Sequence, residues 1–403
     1  MDSKSSKKCP GILLTTNRDL KNPSLDVEHS HAGYLHIGIV EKAKEEMKNL
    51  FIMSTNTPSQ VFVEVVNNLP KDNTVKRTLC NCKGRMYPKK PQNLSELSIT
   101  GDWTLYKNER FLLYNSGPDS DERTINFSLD DGLQYITDAN NWFCDGNFSL
   151  SPEHFLQLYV IRVKKRDVFV TAVYCLLERK AKSTYKKMFS ILYEKCAERN
   201  FFPDPKVLHI DFEQATIQAA REIIGFELEI RGCFYHLCQN TYRKIQNLGL
   251  QKLYTNNDSF SHFCGMLDGL AGLAFLPLQK IDEGMNFLKT VVPPEADELL
   301  EYFDCTYVTG TYKKVGSGEC IKLRRIKAMY QPKIWNVHES TLNGEHRTNN
   351  MCESWNNRFK HVVGHNHLTI WKLIDKMRQE ISVNIAKIEL NEIGLTSKRK
   401  ENT

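Results

Sequence analysis

Three acidic residues, widely separated along the chain, stand where a carboxylate is either costly or useful. Asp145 falls inside Trp142-Phe143-Cys144-Asp145-Gly146, Asp211 closes His209-Ile210-Asp211-Phe212-Glu213, and Glu353 lies within Asn349-Asn350-Met351-Cys352-Glu353-Ser354-Trp355. An aspartate ending a buried strand is expensive to desolvate unless a cation or a donor meets it. Brought together, three carboxylates form a hard-oxygen ligand set of the kind that binds Mg²⁺ or Mn²⁺. Two such cations roughly 3.5–4 Å apart can activate an attacking oxygen and stabilise a leaving one, the chemistry of phosphodiester cleavage. Plainer roles exist for two of the three. Asp211 precedes a helical pattern and could cap it. Met351, Trp355 and Phe359 recur as an apolar stripe, and Glu353 lies about 200° from two of them by helical periodicity. It could face solvent with Asn349, Asn356, Asn357 and Lys360, or this polar side could meet DNA or turn toward a sheet while the stripe packs on a helical insertion.

For these carboxylates to meet, the intervening chain has to return to one place. Asn141–Leu150, Phe155–Val163 and Val168–Leu177 read as three successive strands, separated by Ser151-Pro152 and by a charged turn from Lys164 to Asp167. Ser183 can cap a helix whose apolar positions are Tyr185, Met188, Phe189, Leu192 and Cys196. Val207–Ile210 predicts a fourth strand, Glu213–Ile224 a helix and Glu227–Ile230 a fifth strand. Three strands, then helix, strand, helix, strand, is the order of an α/β fold of RNase H-like type, a mixed sheet flanked by helices. The first carboxylate then sits on the first strand, the second at the end of the fourth and the third on a late helix. Arg110–Tyr114 and Arg123–Ser128 are strand-like, and Glu41–Lys90 looks helical and basic. From Cys233 to about Asn343 the pattern is largely helical, broken by Pro277, Pro293-Pro294 and Gly316-Ser317-Gly318. One last helix begins near Asn349 and another covers Leu368–Leu390. The expected organisation is therefore an N-terminal region over 36–135, a core over 136–236, a helical insertion over 237–345 and a C-terminal helical part over 346–403, preceded by a short polar region at 1–35.

Composition narrows the classes of function. With 403 residues, 41% hydrophobic and 25% charged, the chain is long enough for a large core and has an ordinary globular balance. No apolar stretch approaches the roughly 20 residues of a membrane helix, and the start lacks the apolar core of a secretory signal, so an intracellular protein without a membrane partner is expected. Twelve cysteines in that setting predict buried thiols, not a disulfide framework. Lys and Arg exceed Asp and Glu by 54 − 48 = 6, and the excess is clustered. Lys76, Arg77, Lys83, Arg85, Lys89 and Lys90 form one block; Lys313, Lys314, Lys322, Arg324, Arg325 and Lys327 form another, against only Glu319. Such blocks suit a phosphate backbone and predict DNA as a partner.

Cys233 and His236, with two residues between them, have a spacing able to chelate zinc. The remaining ligands are not evident; Cys238, His361, His365 and His367 are the candidates, and the pair could equally pack and hydrogen-bond where a strand enters a helix.

Five segments in order resemble the transposase domain of Mutator-like elements. They are Phe111-Leu112-Leu113-Tyr114; the Trp142–Gly146 block continuing through Pro152, Phe155, Gln157, Leu158 and Tyr159; Asp211-Phe212-Glu213 followed by Ala219-Ala220; Gly232-Cys233-Phe234-Tyr235-His236; and Arg347-Thr348-Asn349-Asn350 leading to Glu353-Ser354. The likeness spans about Val61 to Glu380. It implies an RNase H-like fold with a helical insertion between the second aspartate and the glutamate. It also implies a catalytic, Mg²⁺- or Mn²⁺-binding triad of Asp145, Asp211 and Glu353, with the Cys-x-x-His pair near it. The implied activity is cleavage of DNA at transposon ends and strand transfer, performed in the nucleus by an oligomer. Cys9, His29 and His31 resemble the second half of a FLYWCH zinc finger, which implies a remnant zinc site over residues 1–35. The alternative is a domesticated DNA-binding regulator that keeps the scaffold without catalysis.

Overall fold

The computed structural model describes residues 87–265, 269–316, 321–345, 347–364 and 368–393, with short pieces at 13–14, 24–25, 42–47, 49–50 and 64–65. The chain divides into two units, Met1–Lys89 and Lys90–Thr403. In the first, Leu13–Leu14 pairs antiparallel with Ser24–Leu25, and residues 42–47 are helical. Cys9, His29, His31, Lys76, Arg77, Lys83 and Arg85 lie outside the described residues.

The second unit is built on a seven-stranded mixed sheet of β1 (Leu112–Asn115), β2 (Thr124–Phe127), β3 (Asn141–Asn147), β4 (Gln157–Lys165), β5 (Val168–Leu177), β6 (Val207–Ile210) and β7 (Glu229–Gly232). Its order is β7-β6-β3-β4-β5-β2-β1. β3, β4 and β5 form an antiparallel meander, β6 and β7 add in parallel beside β3, and β2 and β1 extend the far edge. The short strand-like runs before residue 130 are thus part of the same sheet. The stretches Leu158–Ile161 and Val170–Leu177, Thr171 included, are buried throughout, as expected of strands covered on both faces.

Helices α1 (Asp130–Asp138), α2 (Lys182–Ala197) and α3 (Gln214–Ile223) accompany the strands. Trp142 marks the side they cover: its indole donates to the carbonyl of Ile136 at the end of α1 (2.9 Å) and its ring lies 6.3 Å from Tyr193 of α2. Ser183 falls inside the first turn of α2 and does not cap it; the residue before the helix is Ala181, without a side-chain cap. The other face, marked by Phe143, is overlaid by α5 (Asn350–Val363) and α6 (Ile370–Glu392), and α4 (Phe234–Asn247) leaves the end of β7. β3 ends earlier than its hydrophobicity suggests: the Asn147 side chain accepts from the Leu150 N–H three residues on (3.0 Å), a local bond that turns the chain out of the sheet.

Between α4 and α5 the chain is mostly short helices, including Gln251–Asn256, Asp258–Cys264, Ile281–Val291 and Asp297–Phe303. The expectation of a largely helical insertion missed one element, an antiparallel ribbon of β8 (Thr311–Val315) and β9 (Lys322–Ile326). All eight cysteines among the described residues are free thiols, six of them buried. Among the described residues no helix is long and apolar enough to cross a membrane.

Candidate active site

The placement of the two aspartates follows from strand register. β6 runs parallel to β3 with Val207 opposite Asn141 and His209 opposite Phe143. The same offset carried two residues further sets Asp211 level with Asp145, on strands about 4.8 Å apart. Side chains two residues apart share a face, and the residues one step back show which: Phe143 and His209 stack with centroids 4.3 Å apart at 7°. Asp145 and Asp211 therefore leave the sheet side by side, toward α5.

Asp145 is 7% exposed, and the Asn356 amide of α5 donates to its Oδ2. Burial, and next the negative charge of Asp211, push the Asp145 carboxyl up to about 7, against the opposing effects of Asn356 and His236. Asp211 does not cap α3: the residue before that helix is Glu213, whose own carboxylate accepts from the Tyr185 hydroxyl (3.0 Å). Instead Asp211 Oδ1 lies 2.7 Å from Nδ1 of His236, both atoms buried and neither in an aligned hydrogen bond, so the contact is a charge pair. Burial lowers the affinity of the His236 ring for its proton, but the Asp211 and Cys233 contacts outweigh it and raise the ring to about 11.

Glu353 reaches the same place from α5. Its Oε1 is 3.7 Å from Cys233 Sγ, which in turn accepts from the Asn349 N–H at 3.1 Å. One ligand atom each from Cys233, His236 and Glu353 all lie within 4.8 Å of one another. Burial raises the Glu353 carboxyl above the ordinary range, against the effects of His236 and Cys233. Glu353 is thus the residue that joins the Cys-x-x-His pair; Cys238 stands outside that group, His361 is exposed on α5, and His365 and His367 lie outside the described residues.

One face of α5 makes all these contacts. Asn349, Glu353 and Asn356, at i, i+4 and i+7, line up on a helix. Asn349 donates to the Cys144 carbonyl (3.0 Å), Glu353 meets Cys233, and Asn356 meets Asp145. Asn349 and Asn356 are therefore not part of a DNA-facing surface: Asn349 is 2% exposed and both are spent on β3. Asn357 and Lys360 do remain exposed. The apolar stripe packs on β4, β5 and α6, not on the helical insertion. Trp355 lies 6.4 Å from Tyr174 and donates to Glu380 of α6 (3.0 Å).

Arg162 is a residue the sequence offered and pattern reading passed over: a lone arginine in the apolar strand Gln157–Val163. It is 2% exposed, donates to Thr171 Oγ1 (3.1 Å), to the Phe169 carbonyl (3.0 Å) and to the Met351 carbonyl of α5, and lies against the Trp355 ring. It ties the first turn of α5, and so Glu353, to the sheet. Arg162→Met keeps the apolar stem but leaves these buried acceptors unpaired, at about 1–3 kcal/mol for each lost partner. Thermal unfolding should show a midpoint lower by several degrees; an unchanged midpoint would mean that α5 is held by its apolar stripe and by Asn349 and Asn356 without help from Arg162.

The basic residues lie elsewhere. Lys322, Arg324 and Arg325 are exposed on β9, and exposed Lys327 follows it. Lys89 is exposed, and Lys90 is paired with Glu153 at 2.5 Å.

No family model matches the chain, and no curated protein matches it.

Proposed function

We propose that the chain is a DDE-type transposase of the Mutator-like class, or a protein descended from one, that cleaves and joins DNA strands with Asp145, Asp211 and Glu353. One observation carries this: two aspartates leave neighbouring parallel strands side by side, and the helix bearing Glu353 crosses over them. An RNase H-like core is supported by strand order. Numbered within the meander and its parallel additions, the strands run 3-2-1-4-5, with β1 and β2 as an added edge.

The residues present suit divalent cations. Burial, and then the neighbouring Asp211 charge, raise the Asp145 carboxyl, and a buried Asp211 oxygen has only a charge contact. Cations bound there would activate the attacking oxygen and stabilise the leaving one. The protein's part is positioning: Asn356 fixes the rotamer of Asp145, His236 holds Asp211, and Arg162 and Asn349 seat the helix that delivers Glu353. Mg²⁺ or Mn²⁺ suits the carboxylates. The sulfur, nitrogen and oxygen of Cys233, His236 and Glu353 make three ligands of a mixed set that zinc accepts. DNA ends and target DNA are the substrates, an oligomer the working form and the nucleus the place of action.

A second reading, a DNA-binding regulator without catalysis, is favoured by the His236–Asp211 pair, since a protonated ring already neutralises the second carboxylate. The two are separated by incubating the protein with labelled duplex carrying the element's terminal repeats, with Mg²⁺, with Mn²⁺ or with chelator. Nicking that depends on metal supports the transposase. Binding without nicking under all conditions supports the regulator.

A further inference from the structure

We infer that the β8–β9 ribbon is a groove-reading arm for duplex DNA. All ten residues of its two strands are exposed, five are cationic and none is acidic. Lys313 stands directly opposite Arg324, and Tyr312 opposite Arg325. Like charges opposed across a ribbon cost stability, and a two-stranded ribbon alone is marginal in water. A structure that tolerates this cost calls for a polyanion to relieve it. The apolar side chains on the face of Lys313, Lys322 and Arg324 are open as well: Val315 is 44% and Ile326 44% exposed. Cations flanking aliphatic groups suit a surface that is charged at its walls and carries base edges and methyl groups at its floor.

The dimensions agree. Five residues of antiparallel strand span about 17 Å at roughly 3.4 Å each, and the major groove of B-form DNA admits a two-stranded ribbon.

The root of the ribbon is rigid and reaches the candidate site. Gly310 turns the chain into β8 with φ +86, and a Cβ there would meet the Ile326 carbonyl at 2.1 Å, so the strands close tightly at their base. Beyond β9, Tyr330 donates from its N–H to the Thr306 carbonyl (3.0 Å), and Trp335 donates to the Tyr307 and Tyr330 carbonyls (2.9 and 3.0 Å). The same root grips the turn that carries Asp211. The Tyr330 hydroxyl donates to the Phe212 carbonyl (2.5 Å), the Gln214 amide to the Met329 carbonyl (2.7 Å), and the Phe212 ring packs edge-on against Tyr330 at 5.1 Å. A duplex held by the arm is thereby held in register with Asp211. The choice of DNA as partner rests on the function proposed above; the ribbon's binding does not require that the carboxylates cut.

The test is equilibrium binding of the full chain to a short labelled DNA duplex, in chelator, over a range of salt. The variant carries Lys313→Ser, Lys322→Ser and Arg324→Ser, all on one face of the ribbon. Each lost phosphate contact flattens the log–log salt slope by about 0.9, so a decrease of about 2.7 is expected, with affinity falling at least about tenfold at low salt. The thermal midpoint of the variant should be unchanged or higher, because an opposed like-charge pair is gone. A double-stranded RNA of the same sequence should bind at least about tenfold more weakly than the DNA, since the A-form major groove is too narrow for side chains to read. An unchanged slope and affinity in the variant overturns the arm, as does equal or tighter binding of single strands or RNA duplex. Wild type that loses duplex on the ribbon substitutions yet never nicks leaves the arm standing and removes the transposase. Metal-dependent nicking with unaltered binding by the variant does the reverse.

Discussion

Asp211→Asn should eliminate metal-dependent nicking and leave duplex binding unchanged. The substitution preserves shape, so the turn gripped by Tyr330 and Gln214 stays in place. What it removes is the negative charge that a cation ligand beside Asp145 would need. A loss of at least about 10³-fold is expected, about 4 kcal/mol of transition-state stabilisation at 1.36 kcal/mol per factor of ten. Binding survives because the exposed cations of the ribbon do not contact the carboxylates. Single-turnover cleavage of end-labelled DNA with Mg²⁺ or Mn²⁺ measures the first effect, and binding in chelator the second. Equal cleavage by wild type and variant would show that Asp211 is not a catalytic ligand.

Asp145→Asn should make the metal-free protein more stable above neutral pH while removing its stabilisation by divalent cations. The sign follows from the direction of the shift. Burial and the neighbouring Asp211 raise the Asp145 carboxyl from 3.8 to about 7. A group whose affinity for its proton is higher in the folded chain contributes stability below its unfolded value, and that contribution is lost as pH rises through the folded value. In chelator, wild type should therefore lose stability between about pH 4 and 7 from this group and stay at its low level at pH 8. Asparagine cannot ionise and can still accept from Asn356, so the variant is spared the loss. At pH 8 in chelator the variant's thermal midpoint should therefore lie several degrees above that of wild type, and at pH 4 the two should differ little. Added Mg²⁺ or Mn²⁺ favours the ionised carboxylate, so the wild-type midpoint should rise with cation concentration and the variant's should not. Thermal scans at pH 4 and pH 8, with chelator and with cation, give all the comparisons. A variant less stable than wild type at pH 8 in chelator would mean that Asp145 is ionised and satisfied without a cation.

Much of this was legible in the sequence. The meander, the two parallel strands and their helices are encoded locally, in apolar runs of strand length and in amphipathic periodicity. The apolar runs Val168–Leu177 and Val207–Ile210 coincide with β5 and β6, because turn residues and charges fall abruptly at their ends. The carboxylates that come together were also legible as candidates, since an aspartate within or ending an apolar run is costly to desolvate, but the sequence equally allowed Asp211 to cap the helix after it. Strand ends were less so: β3 stops at Asn147 through one side-chain hydrogen bond to the chain ahead of it, and β7 is set by its register with β6, not by its own hydrophobicity.

The tertiary structure decided which polar residues meet. Helical periodicity placed Asn349, Glu353 and Asn356 on one side of α5, but it could not say whether that side faces water or the sheet. The answer depends on Trp355 and Phe359 filling the space over β5 and α6, and on Arg162 tying the first turn of α5 to β4. Rotation of a helix about its axis is fixed by what it packs against, which no local pattern contains. Pairing Cys233 and His236 with Glu353 requires residues more than a hundred positions apart to be neighbours. The basic run at 313–327 likewise carries its charge in the sequence. Its form as an exposed ribbon rooted on the Asp211 turn comes from Gly310, Tyr330 and Trp335, through contacts made only once the chain is folded.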